Sequence, residues 1–319
     1  MDGILNNESF AQAYRRMAAV RLNPRRHTAA NALLHSEQVS SMAGALARAN
    51  GCGAEEIRLL TDLGRAHDIG KITGTAQPER SLEVLRACGV ADPVLLGLTR
   101  WHDTALPWYR SRSKGQPPSE RAWRRLASEV DLRLLAMFMV ADRVDAPPGW
   151  RRNAPTVWFL EEARNRGLIA ELALDLPDHP SEVSAGGAVV RDVGGGPEIL
   201  VLRVRDEGYE LPTGGIEWDE LPEDAAVRET REEAAVEGPL LAGRELGHVD
   251  QPVGGAGAPH LERVRYFQLR SGGLLRLGAT PSRIRERRWL RRDEVGSAPL
   301  VDEGLRSLLL DAVSKVSPD

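Results

Sequence analysis

Three glutamates, Glu229, Glu232 and Glu233, stand at i, i+3 and i+4, so a helix through them sets three carboxylates on one face. Like charges at that spacing destabilise an isolated helix, and a hard divalent cation held by oxygen is the natural compensation. Mg²⁺ or Mn²⁺ commonly links such carboxylates to substrate phosphates. The carboxylates alone fit a solvated acidic face equally well. A second set lies far upstream. His67-Asp68-Ile69-Gly70-Lys71 closes an expected helix, with His35 on the helix before it and Asp142 on a later one. Mixed histidine and carboxylate sets drawn from separate helices suit Mn, Fe, Co, Ni or Zn. A single His-Asp dipeptide is nonetheless most often a helix-end pair that holds no metal.

The elements that must position these residues change character along the chain. Residues 8–145 read as helical. Thr28 is the expected cap of a helix through Asn50, with Leu33, Leu34, Val39, Met42 and Leu46 at helical spacing and Gly51 as the stop. A second helix runs from about Ala54 to near Gly70. Further helical patterns cover Ser81–Ala87, Pro93–Trp101, Ser119–Ser128 and Asp131–Val144, and one more starts near Thr156 and ends about Arg166. Leu176-Pro177-Asp178-His179-Pro180 reads as a linker of turn formers. Beyond it Gly186–Arg191, Glu198–Arg203, Arg263–Leu269 and Arg287–Leu290 read as strands, with helices over Pro222–Ala234 and Val301–Val316. The expected division is a helical domain at 1–175, a linker at 176–182 and an α/β domain at 183–319.

At 319 residues the chain is long enough for two domains, and 42 % hydrophobic with 28 % charged residues is the balance of a soluble globular protein. No apolar run of about 18 residues exists to span a bilayer, and the opening Met1-Asp2-Gly3-Ile4-Leu5 has no basic-then-apolar leader pattern. Cys52 and Cys88 are too few for a disulfide framework or a cysteine zinc site. A cytoplasmic protein is the expectation. Residues 1–182 carry a net charge of +2 and residues 183–319 a net charge of −6, so neither half is drawn to nucleic acid by bulk charge. Arg15, Arg16, Arg21, Arg25 and Arg26 form the one notable basic cluster and read as a solvated face. Lys71, Lys114 and Lys315 are the only lysines.

The wider spacing in the second half is more specific than its carboxylates. Gly214, five residues, Glu220, seven residues, Arg228-Glu229, two residues, Glu232-Glu233 resembles the Nudix box, G-x5-E-x7-R-E-U-x-E-E-x-G-U. Leu211-Pro212 and Glu286-Arg287-Arg288-Trp289-Leu290 resemble that family's flanking segments. The resemblance implies an α/β/α sandwich with a mixed sheet, and Glu229, Glu232 and Glu233 as catalytic metal ligands for Mg²⁺ or Mn²⁺. It also implies that Gly214, Glu220 and Arg228 are structural, Glu220 and Arg228 pairing to hold the loop on the helix. Two positions depart from the pattern. Thr230 replaces an aliphatic residue, and Ala235 replaces the closing glycine, whose left-handed conformation costs Ala up to ~1 kcal/mol. Gly238-Pro239 is the expected displaced stop.

The order His35, His67-Asp68, Asp142 resembles the HD superfamily of metal-dependent phosphohydrolases over about residues 28–145. Leu34-His35-Ser36-Glu37-Gln38-Val39 and Met139-Val140-Ala141-Asp142 resemble its first and last ligand segments. The resemblance implies an all-α domain in which His35, His67, Asp68 and Asp142 bind one transition metal. Lys71 then neutralises charge on a phosphoryl group, or merely sits well at a helix C-terminus; the two readings weigh equally. His102, in Arg100-Trp101-His102-Asp103, resembles a position seen in some HD proteins, which implies contact with phosphate or with a second metal. The further histidine that usually marks a two-metal site, between His67 and His102, is missing, so one metal is expected. His27, His179, His248 and His260 stand alone and read as surface or satisfied core residues.

Taken together, the two resemblances imply a bifunctional hydrolase of small-molecule nucleotides. One half cleaves a pyrophosphate bond and the other a phosphate ester, with a relay between them conceivable because the first product is a phosphomonoester. An RNA end-processing protein is disfavoured by the missing basic surface, and a nucleotide-sensing regulator by the retained ligand residues. No membrane partner is expected, and a homodimer is left open.

Overall fold

The computed structural model describes residues 3–204, 208–254, 260–271 and 274–314. The end of the helix expected to reach Val316, including Lys315, lies outside the described residues. By compactness the chain forms two units, Met1–Ser181 with Ala258–His260, and Glu182–Gly257 with Leu261–Asp319.

The first unit is helical: α1 (Glu8–Arg16), α2 (Ala32–Ala49), α3 (Ala54–Ala66), α4 (Pro78–Ala87), α5 (Pro93–Trp101), α6 (Ala105–Ser113), α7 (Glu120–Glu129), α8 (Leu132–Ala141) and α9 (Ala154–Asn165). Helix α2 is capped by Asn31, whose side chain accepts from the Leu34 N–H at 3.0 Å, and not by Thr28. The Thr28 N–H is instead committed to the Asp145 carbonyl at 2.9 Å. Helix α3 ends at Ala66, and a 3-10 turn over Ile69–Thr73 replaces the last helical turn expected from the sequence. Helices α2 and α3 cross closely because Gly64 faces Ser40: a Cβ on Gly64 would lie 2.3 Å from the Ser40 Cα. Helix α8 is buried on all sides, which explains its unbroken apolar run and makes it the centre of this unit's core. The segment expected as a linker, 176–182, is not free chain: Leu176 bridges His179, and a strand begins at Pro180.

From Pro180 onward the elements are β1 (Pro180–Asp192), β2 (Pro197–Arg203), β3 (Thr213–Gly215), α10 (Pro222–Ala234), β4 (Val236–Glu237), β5 (Leu240–Val253), β6 (His260–Ser271), β7 (Arg276–Leu277), β8 (Glu286–Arg291), α11 (Arg292–Val295) and α12 (Gly304–Ser314), and all but the first residues of β1 and β6 belong to the second unit. The main sheet runs β5-β6-β1-β2-β8, with β3 paired antiparallel to β1. Alternation along each strand serves two cores. Ala188, Val190, Ile199, Val201, Val264 and Tyr266 pack with Leu305, Leu309 and Ala312 of α12. Ala185, Val189, Leu200, Leu202, Phe267 and Leu269 pack with Ala225, Ala226 and Ala234 of α10. A sheet covered by helices on both faces is the expected sandwich, and burial on both faces is why its inner strands read as apolar runs.

The closing position of α10 departs from the displaced stop. Ala235 itself takes the left-handed conformation, with φ 48° and ψ 46°, and ends the helix where the box ends it. Nearby donors support this cap: the Gly278 N–H reaches the Ala235 carbonyl and Arg287 the Ala234 carbonyl, each at 2.8 Å. A cation on these carbonyls also complements the helix dipole. Ala235→Gly is expected to stabilise this unit by about 1 kcal/mol, raising its thermal midpoint by roughly 2–4 °C. A calorimetric scan checks this, and an unchanged or lowered midpoint contradicts it.

Candidate functional sites

In the second unit, β3 and α10 meet face to face. The Glu233 carboxylate accepts from the Thr213 N–H at 2.8 Å, and the guanidinium of Arg283 lies 2.5 Å from its other oxygen. Glu229 lies directly on Gly214, where a Cβ would stand 2.1 Å from the carboxyl carbon. That contact gives the box glycine its reason, and Gly214→Ala is expected to push Glu229 out of place. Pyrophosphate cleavage in that variant should fall at least ~10-fold with the fold kept, a loss measured by kcat beside a melting curve; wild-type kcat would contradict the contact's importance.

Arg228 donates to both oxygens of Glu220, at 2.9 and 2.8 Å, and to the Gly215 carbonyl at 2.9 Å. This bidentate pair ties the loop to the helix. Arg228 also lies 2.5 Å from Glu229 and 3.6 Å from Glu232, so it balances the box carboxylates as well. The side chains of Glu229 and Glu233 are 12 % and 17 % exposed, whereas Glu232 is 60 % exposed; only the first two are drawn in against β3. Burial pushes the Glu233 carboxyl up, with Glu229 and Glu210 adding to the rise against the Thr213 N–H and Arg283. The Arg228 pair holds Glu220 low. A divalent cation fits this donor set, since it would offset the negative charge of Glu229 and Glu210 that adds to the effect of burial on Glu233.

In the first unit His35 of α2, His67 and Asp68 at the end of α3, and Asp142 at the end of α8 come together. The His67 Nε2 lies 3.2 Å from Asp142 and 3.4 Å from Asp68, and the His35 Nε2 lies 3.4 and 3.6 Å from the same two carboxylates. His67, His102 and Asp142 are the C-caps of α3, α5 and α8, so three helix C-termini, each with partial negative charge, bring residues to this region. Two histidines are oriented by their own helices. His67 Nδ1 lies 2.9 Å from the Gly64 carbonyl and His102 Nδ1 2.7 Å from that of Thr99. Donation there places a proton on Nδ1 and makes Nε2 the nitrogen of each ring that would face a metal.

The His67 Nε2 is buried yet makes no hydrogen bond, although two carboxylates stand near it. Burial opposes a charged His67, but Asp68 and Asp142 outweigh it and push its pKa up to about 10. Burial likewise opposes ionisation of Asp68 and Asp142. His67, Lys71 and His35 hold Asp68 well below the carboxylate range, and Arg143, His35 and His67 do the same for Asp142. Positive charge is therefore demanded at this point, and a transition metal with these nitrogen and oxygen donors fits it. Lys71 Nζ sits 2.5 Å from Asp68, and the His102 ring centroid lies 5.2 Å from that of His67.

Sequence reasoning missed several residues. Arg283 was not singled out, because nothing in the box marks it. Arg143, paired with Asp142, and Asp145, one turn beyond, escaped because they are not named in the four-residue pattern. His27 does not stand alone: its ring packs 5.1 Å from that of His35, and both reach Asp145.

Residues 180–311 match the family model described as the NUDIX domain. The second unit thus carries a Nudix domain, and the match leaves α1 to α9 outside it. Among curated proteins, none matches the chain. Similar solved structures include an Ap4A hydrolase from C. elegans, 22 % identical, with a TM-score of 0.31, covering 41 % of this chain and 95 % of that one. A MutT Nudix hydrolase from Burkholderia pseudomallei is 26 % identical, with a TM-score of 0.31, covering 42 % of this chain and 97 % of its own. A Nudix hydrolase from M. smegmatis is 23 % identical, with a TM-score of 0.30, covering 40 % and 81 %. No helix among the described residues is long and apolar enough to cross a membrane.

Proposed function

We propose that the chain is a bifunctional metal-dependent hydrolase of nucleotides. The Nudix half cleaves a pyrophosphate bond of a nucleoside diphosphate derivative or nucleoside triphosphate, and the helical half, read as an HD-type domain, hydrolyses a phosphate ester. The observation that carries the first activity is the docking of Glu233 on the Thr213 N–H and of Glu229 on Gly214. Glu229, Glu232 and Glu233 would hold Mg²⁺ or Mn²⁺. The Glu220–Arg228 pair fixes the loop and leaves a guanidinium N–H beside Glu229. Glu232 is exposed in the structure and would have to turn inward to join the set, a desolvation that a cation at the site would offset.

The second activity rests on the buried, unbonded His67 Nε2 between two carboxylates. His35, His67, Asp68 and Asp142 would hold a transition metal. When bound, these metals supply Lewis-acid polarisation of a phosphoryl oxygen and acidify water. Lys71 offers an ammonium that shifts from Asp68 toward a phosphoryl oxygen, and His102, its Nδ1 committed to Thr99, offers Nε2.

The test is incubation of the full chain with a panel of nucleotides in Mg²⁺, Mn²⁺, Co²⁺, Ni²⁺, Fe²⁺ or Zn²⁺, separating nucleoside monophosphate from inorganic phosphate. The expected result is monophosphate release with Mg²⁺ or Mn²⁺ and phosphate release from a phosphate ester with a transition metal. No cleavage of any pyrophosphate bond overturns the first assignment, and no ester cleavage with any metal overturns the second.

A further inference from the structure

The carboxylate of Asp145 is buried beneath the histidine set and touches none of the other side chains read as ligands except His35. Its Oδ1 lies 2.9 Å from the His35 Nδ1 and 3.4 Å from the His27 Nδ1, while Oδ2 lies 3.4 Å from the Ala29 N–H. Its own carbonyl accepts from Thr28 N–H. Asp145 therefore anchors the segment before α2 and the second ring nitrogen of His35 together. His67 and His102 obtain their Nδ1 partners from carbonyls of their own helices. His35 lies in the first turn of α2, and its Nδ1 is met by the Asp145 carboxylate instead.

We propose that Asp145 is the positioning residue for His35. By accepting a hydrogen bond from the His35 Nδ1–H it selects the tautomer whose Nε2 lone pair faces Asp68 and Asp142, and as an anion it raises the donor strength of that nitrogen. This inference rests on the reading of His35, His67, Asp68 and Asp142 as a metal set. It competes with a second arrangement on the same residues, since His27, His35 and Asp145 also lie close enough together to hold a cation. The two differ in what Asp145 does. A positioning carboxylate changes affinity and leaves the donor set intact, whereas a ligand changes the donor set itself.

The experiment uses the full chain with Co²⁺ as the probe, reading affinity by chelator competition and donor set by the visible absorption spectrum. Asp145→Asn keeps the shape but loses the charge, and its amide can turn its NH₂ toward His35 and favour the wrong tautomer. The expected result is one tightly bound Co²⁺ per wild-type chain and about 10–100-fold weaker binding in Asp145→Asn, with the spectrum at saturation unchanged. His27→Gln is expected to bind Co²⁺ within about twofold of wild type. Nitrogen-15 shifts of His35 in the Zn²⁺-loaded wild-type chain, which need no variant to fold, should show a protonated Nδ1. Wild-type affinity in Asp145→Asn, or a protonated His35 Nε2, overturns the proposal while the metal site stands. A changed Co²⁺ spectrum in Asp145→Asn together with lost binding in His27→Gln replaces it with the ligand role. A wild-type chain that binds no transition metal overturns the reading of the site and this proposal with it.

Discussion

Glu233→Gln is expected to lower kcat for nucleotide pyrophosphate cleavage by at least ~10²-fold, about 2.7 kcal/mol of lost transition-state stabilisation. Glutamine preserves the length of the side chain and an oxygen that can still accept from the Thr213 N–H. What it removes is the negative charge that would hold a cation. Burial already pushes the Glu233 carboxyl up, so the neutral amide suits the metal-free site and the fold should survive. Glu232→Gln is expected to cost as much. It is the sharper test, because in the structure Glu232 is largely exposed, with an ion pair to Arg228 at 3.6 Å. A solvated acidic face predicts no loss there. Steady-state kinetics beside a melting curve decide it, and wild-type kcat in a folded Glu233→Gln chain would remove that residue from the ligand set.

The second large effect concerns the helical unit. His67→Ala combined with Asp68→Ala is expected to abolish transition-metal binding while pyrophosphate cleavage continues. Both side chains are buried at the end of α3, and each faces the same cluster of donors. Their joint removal takes away one nitrogen and one carboxylate, leaving His35 and Asp142. Elemental analysis of the purified chain reads the outcome. Unchanged metal content in a folded double variant would refute the site.

The candidate site residues were legible because their spacing survives any details of packing. Helix α10 reads as Pro222–Ala234 from the sequence and is found with those bounds, as is α5 at Pro93–Trp101. The strands β1, β2, β6 and β8 extend beyond the ranges read from the sequence, since proline and polar residues at their ends break the apolar pattern. Strand β5 was missed: it lies at the edge of the sheet and is rich in polar, half-exposed positions. Helix α6 was missed because Pro107 stands in its first turn and only Ala105 is fully buried.

Long-range partners were the least legible. Thr28 is a good cap in isolation, yet its amide goes to Asp145, more than a hundred residues away, and Asn31 caps α2. The same distance hid the link from His35 to Asp145. Ala235 shows the opposite case. The sequence marks its cost correctly, but not the Arg287 and Gly278 donors that let the helix end there.

The most direct test of the account is a ³¹P NMR time course of one nucleoside diphosphate derivative with the full wild-type chain, Glu233→Gln, and the His67→Ala/Asp68→Ala double variant, each in Mg²⁺. The account predicts that the pyrophosphate signals disappear at equal rates with wild type and the double variant, and persist with Glu233→Gln. Pyrophosphate signals that vanish as fast with Glu233→Gln as with wild type, or that persist with the double variant, would contradict it.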